Sequence, residues 1–173
     1  MPATLESVSM AVTRQGCQEF DEALRIIAHC MDQLNDAQTW WRPSDSMNSI
    51  ANLLLHLSGN VRQWIVSGVG GAPDVRNRQE EFDQRVMSPK GDLMTVITSA
   101  VADAKAVIAA TTAEDLLQSR SVQENDVTGI QAIFHATAHF RGHTQEIVHM
   151  TRCQLGDTYQ FDFVPPHNDL TGP

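Results

Sequence analysis

The chain has 173 residues, 42% hydrophobic and 19% charged, enough for one buried core and too few for two of good size, so a single domain over residues 1–173 is expected. Its 21 carboxylates against 12 Lys and Arg leave a net charge of -9, and the basic surface that nucleic acid or an anionic membrane requires is missing. The first residues carry no basic start followed by an apolar stretch, and no segment is expected to stay apolar long enough to span a bilayer. Cys17, Cys30 and Cys153 are an odd number at wide spacing, which fits reduced thiols and a cytoplasmic protein better than a disulfide framework.

Helical periodicity governs the chain from its start. Val12, Phe20, Leu24, Ile27, Met31 and Leu34 fall on one stripe and predict a first helix over 9–34. The segment around Pro43 reads as a loop whose Ser46 or Asn48 caps a second helix over 48–67. The stripe of that helix is Ile50, Leu53, Leu54, Leu57, Val61, Trp64 and Ile65, and Gly68, Gly70, Gly71 and Pro73 end it. The polar stretch 74–87 has too little apolar content for the core and reads as a crossover that holds at most a short helix. Ser88 followed by Pro89 marks a helix start with proline in the first turn, and Leu93, Ile97, Val101, Ala104 and Ile108 carry a third helix over 89–111. Thr112 with Asp115 forms a capping-box pattern for one short turn, and 119–128 runs extended without a convincing strand pair. Asp126 or Thr128 then caps a fourth helix over 128–155, which Gly156 closes before an irregular tail, 157–173. Four long amphipathic segments with long connections predict an all-α four-helix bundle containing at least one crossover.

Seven histidines stand out in this composition, and His135, His139 and His143 follow one another at four-residue spacing in the fourth helix. Side chains at i and i+4 lie one turn apart on one face, close enough for two imidazoles to share an ion. His139 and His143 border the apolar stripe of Ile133, Ala136, Phe140 and Ile147, while His135 turns toward the polar side, so the pair 139 and 143 is favoured. Gly142 between them costs about 1 kcal/mol relative to alanine in a helix interior, which calls for compensation by a close helix or a ligand. A third ligand must come from another helix, where His56 and His29 are the available histidines. Periodicity alone does not select His56, which sits off its helix's stripe beside Asn52, Asn60 and Gln63. The competing reading is that such histidines are half-buried helix residues bonded to carbonyls or carboxylates, and for His29, His135, His149 and His167 that reading prevails.

The segments AHFRGHTQEIVHMTRCQLGD and NSIANLLLHLSGNVRQWI resemble the two signature stretches of the DinB/YfiT-like superfamily of metalloenzymes. Trp41 to Pro43, together with the pattern at Arg76, Arg78, Glu81 and Phe82, resembles a poorly characterised bacterial branch of it. The resemblance implies a bundle with a crossover, often a homodimer, in which His56, His139 and His143 hold one divalent metal, zinc or nickel above all, with open coordination positions. It also implies a thiol-dependent S-transferase in which the metal activates a low-molecular-weight thiol against a small-molecule substrate. A metal-dependent hydrolase and a non-catalytic dimeric bundle are the alternatives. Arg76 and Arg78 could bind an anionic substrate group, or else form a solvated loop paired with Glu80, Glu81 and Asp83. Gln145 and Glu146 are possible partners behind His143. No nucleic acid or membrane is expected among the partners.

Overall fold

The computed structural model of the protein describes residues 4–162. Helix α1 spans Leu5–Gln33, four residues earlier than its apolar stripe predicts, because Thr4 and Ser7 form a capping box that starts the helix ahead of that stripe. Asn35 and Gln38 form a second such box for α2, Asp36–Trp40, a short helix not expected from the sequence, whose last two residues fall in the expected loop. Helix α3 spans Ile50–Val61 and is capped by Ser49, not by Ser46 or Asn48. Asn52 stands at the reciprocal position, so the cap is the residue that completes the box. The helix continues as a π-helical turn over Arg62–Ser67.

The crossover holds one short helix, α4, Arg78–Asp83. Helix α5 spans Lys90–Ala110 with Pro89 at its cap, one position before the first turn. By length and mean hydropathy α5 could cross a bilayer, contrary to the expectation that no segment would. Leu93, Ile97, Val101, Ala104 and Ile108 on α5 are buried against the rest of the bundle, which accounts for their apolarity. Thr112 and Asp115 make the expected capping box for α6, Ala113–Leu117. The stretch after it corrects the reading of an unpaired extended segment: β1, Ser119–Val122, and β2, Asn125–Thr128, pair antiparallel through a two-residue turn. Gln123 and Glu124 both adopt positive φ there, the conformation a type I′ turn demands. Thr128 caps α7, Gly129–Leu155, and Gly156 closes it, as expected.

Cross-helix contacts set the directions. Cys17 on α1 reaches the carbonyl of Lys105, and Lys90 reaches the carbonyls of Met31 and Leu34, so α1 and α5 are antiparallel. Gly16 meets Ile133 and Phe20 stacks edge-on against Phe140, so α1 and α7 run parallel. His56 on α3 faces His139 and Trp64 stacks on His135, an antiparallel pair. These three relations leave α3 parallel to α5, and Arg62 of the π turn pairs with Asp103 across them. The four long helices therefore run up, down, down, up, and residues 68–89 are the crossover between two parallel neighbours. One hydrophobic core joins them, built on Phe20, Ile27, Leu53, Leu57, Ile97, Ile108, Ile133 and Phe140. His167 and the tail beyond residue 162 lie outside the described residues.

Candidate metal centre

The polar side of α3, off its apolar stripe, faces the crossover. Asn52, fully buried, accepts a hydrogen bond from the Ser49 hydroxyl at 2.7 Å and donates to the carbonyl of Glu81 at 2.8 Å. Arg42 donates to the same Asn52 side chain and to the carbonyl of Gln84. Trp40 donates its indole N–H to the carbonyl of Ser88 at 2.9 Å. These bonds fix α4 along α3 and bring Glu81 over His56.

His56 donates from Nδ1 to Glu81 Oε2 at 3.0 Å, and both side chains are about nine-tenths buried. Arg76 completes the arrangement with two hydrogen bonds to the Glu81 carboxylate, at 2.7 and 2.8 Å, and one to Gln63 at 2.9 Å. Its side chain is 4% exposed. Burial pushes the Glu81 carboxyl up, but hydrogen bonds from Arg76 and His56 outweigh it and hold the group below its ordinary value. The pair lies flat on α3 because Gly59 has no side chain: a Cβ there would collide with Glu81 Oε1 and with Arg76 Nε.

With Nδ1 engaged, His56 presents Nε2 inward. It faces His139 Nε2 at 2.9 Å, across 83 residues of chain, a separation at which two ring nitrogens need a proton or a cation between them. Burial, followed by repulsion from His143, His56, His135 and Arg76, lowers the pKa of His139 to about 4. Its ring is therefore neutral near pH 7, the form that binds metals. His143 is fixed through Nδ1, which donates to Glu146 Oε2 at 2.7 Å. Ligand atoms of His56, His139 and His143 all lie within 4.8 Å of one another, a group that could hold a metal ion. Three imidazoles, two of them with a carboxylate behind the ring, suit zinc or another first-row divalent ion.

The remaining candidates separate. Arg76, weighed as a substrate contact or as part of a solvated loop paired with acidic neighbours, does pair with Glu81, but it is buried and also committed to Gln63 and the carbonyl of His56. Arg78 is exposed and lies over the Phe82 ring, 4.8 Å from its centroid. That ring in turn lies 4.8 Å from the His56 ring. Glu146 is the partner of His143, and Gln145 is exposed. No helix packs close to Gly142: it is exposed and a Cβ on it meets nothing within 4 Å. His135 stacks on Trp64 at 3.7 Å, and His29 bonds to Gln33 and the carbonyl of Gln160, both structural roles. His149 lies 3.5 Å from the free thiol of Cys153. The role of Glu81 was missed. The signal for it in the sequence is the polar row of Asn52 and His56 on α3 and Gln63 on the π turn, which announces a polar strap on that face.

A family model described as "Protein of unknown function (DUF1572)" matches residues 7–168. Among solved structures, a conserved protein from Enterococcus faecalis superposes with a TM-score of 0.71 at 17% identity, covering 83% of this chain and 97% of that one. A DinB-like protein, YjoA, from Bacillus subtilis superposes with a TM-score of 0.64 at 16% identity, covering 85% and 96%. No curated protein matches the sequence. The fold is thus the helical bundle of the DinB-like YjoA, and the chain belongs to the DUF1572 family.

Proposed function

We propose that the protein is a metal-dependent enzyme in which His56, His139 and His143 hold one divalent ion, zinc or nickel, and that it transfers a low-molecular-weight thiol to a small electrophilic substrate. The observation that carries the reading is the convergence of three histidines from α3 and α7, with His56 backed by a buried, charged Glu81. When bound, the ion supplies positive charge that stabilises a thiolate, the nucleophilic form of the thiol. The chain's own residues do the rest. Glu81 and Glu146 fix the orientation of two ligand rings and keep their inward nitrogens free of protons. Arg76 keeps Glu81 ionised, and Arg78 offers its charge to an anionic group of the substrate from the outer side of Phe82.

A homodimer in the cytoplasm belongs to the same proposal. Leu5, Val8 and Met10 on α1 and Phe134 on α7 are each more than half exposed, and Val8 and Phe134 line one groove between those helices that a second copy would cover. Light scattering on a sizing column tests the dimer.

The central test is metal analysis of the untagged protein, as purified and after incubation with zinc or nickel, repeated with His139→Ala. One ion per chain that is lost in the variant is expected; absence of stoichiometric metal in the wild type ends the enzyme reading. A panel of thiols against electrophiles then decides the reaction, and turnover of an ester or amide without any thiol would replace the transferase by a hydrolase.

A further inference from the structure

We propose that the cleft beneath the crossover is a second binding site, separate from the three histidines, for an organic cation with an apolar body. The cleft has a volume of roughly 690 Å³, within the range of small-molecule sites, and is bounded by the crossover, by α3 with its π turn, and by α5. None of His56, His139 and His143 lines it. Gly59, Arg76 and Glu81 do, so the carboxylate that meets His56 through Oε2 belongs, with its Oε1 over Gly59, to the wall of this cleft.

The other walls are apolar. Leu55 on α3, Val66 on the π turn and Val96 on α5 line the cleft together with Pro73 and Val75 of the crossover. Leu55 and Val66 are half-buried against the core, whereas Val96 is 43% and Val75 90% exposed. A single exposed valine is ordinary on a protein surface. Two that share a concave wall with a leucine and a third valine make a patch whose wetting an apolar occupant would relieve.

Charge decides the class of occupant. Both guanidinium groups of the lining are already neutralised, Arg76 by Glu81 at 2.7 Å and Arg62 by Asp103 at 2.8 Å, which leaves no free cation for an anionic ligand. Asp74 accepts only from neutral donors, the Gln63 amide at 2.6 Å and the backbone N–H of Arg76 at 3.0 Å. Glu80 on α4 is exposed and forms no ion pair among the described residues. Two uncompensated carboxylates therefore stand over an apolar wall, a setting that concentrates their field on a cation in the cleft. An occupant that touches α5 at one end and the crossover at the other also holds the crossover down on α3.

The test titrates the full chain with octylamine, octanoate and ethylamine, at concentrations where the octyl compounds do not self-associate, and follows backbone amides by NMR. Octylamine is expected to shift the amides of Val66, Val75 and Val96 to saturation and to slow hydrogen exchange in α4. Octanoate has the same chain and the opposite charge, and ethylamine has the same head and almost no chain; each is expected to bind about tenfold or more weakly than octylamine. The double variant Asp74→Asn, Glu80→Gln is expected to lose octylamine affinity by a similar factor. Octanoate bound as tightly as octylamine, ethylamine bound as tightly as octylamine, full octylamine affinity in the double variant, shifts absent from those three amides, or α4 exchange unchanged at saturation overturns the proposal. None of these readouts depends on a bound metal, so their failure leaves the reading of the three histidines standing.

Discussion

Asn52 donates its side-chain amide to the backbone carbonyl of Glu81 at 2.8 Å, and through that bond the first turn of α3 sets the height at which the Glu81 carboxylate meets His56 one turn further along. The cap of a helix and the positioning of a ligand ring are thus one structure. Removing the side chain strands the carbonyl of buried Glu81 and the hydroxyl of Ser49, while the Gln84 carbonyl keeps Arg42. Asn52→Ala is therefore expected to cost on the order of 2–3 kcal/mol, about 1 or more per lost partner. Chemical denaturation of the metal-free protein measures it, and a loss below about 0.5 kcal/mol would show that water replaces the amide at once.

Glu81→Gln tests the carboxylate separately from the shape. Glutamine still offers an oxygen to His56 Nδ1 but loses the charge, and Arg76 is left buried without a counter-ion. Zinc affinity is expected to fall by about 10- to 100-fold and stability by about 3 kcal/mol. Competition against a chromogenic chelator reads the first and denaturant titration the second. Wild-type zinc affinity in a folded variant would remove Glu81 from the site.

Gly59→Ala reaches the same pair from beneath. The added methyl occupies the place of Glu81 Oε1, and the carboxylate can leave only by giving up its bonds to Arg76 and His56. A stability loss of about 1–3 kcal/mol together with weaker zinc binding is expected. Loss of stability with zinc affinity unchanged would mean that the strap moves as a unit and keeps its grip on His56.

Acid should weaken the metal-free protein in two stages. The unfolded chain protonates a histidine near 6.5, whereas folded His139, buried and beside other positive groups, does so only near 4. Across that interval the unfolded state binds more protons, and stability falls as pH falls. Glu81 acts in the same direction lower down: its carboxyl is held below the ordinary value in the folded state, so its contribution is complete above the carboxylate range and disappears as pH drops through the depressed value. Melting temperatures against pH should show both stages, and His139→Asn should flatten the stage between pH 6.5 and about 4. Parallel profiles for wild type and variant over that interval would assign the loss to other groups.

Glu124 carries φ of 62° at the second turn position between β1 and β2, where glycine is favoured. Glu124→Gly is expected to raise stability by up to about 1 kcal/mol, while Gln123 stays to bond Gln63. A lower melting temperature would indicate that the entropy gained by the unfolded chain exceeds the relief of the turn.

The bundle was legible because its long helices carry one dominant apolar stripe each. Phe20, Ile27, Leu57, Ile97 and Phe140, chosen by spacing, are buried. What escaped was short and local. Helix α2 has five residues and its Asn35 box lies next to a segment that reads as loop, and the hairpin lacks the Asn-Gly signal that announces a tight turn. His139 and His143 were visible from i, i+4 geometry alone. His56 was not, because α3 packs through two faces of different character, an apolar one toward the bundle and a polar one toward the crossover, and a single-stripe argument treats the second as solvent. Arg76 was misjudged for the same reason: a charged loop in sequence is a buried ion pair once Gly59 makes room for it.

The crossover is held to α3 mainly by amides, carbonyls and one buried ion pair, while the core that joins α1, α3, α5 and α7 lies elsewhere. Detaching it exposes little apolar surface, so it is a unit of local opening with a free energy below that of the whole bundle. Amide protons of α4 should then exchange well before those of α7. Lifting Glu81 would leave the His56 ring without its Nδ1 partner, while His56, His139 and His143 stay on intact helices.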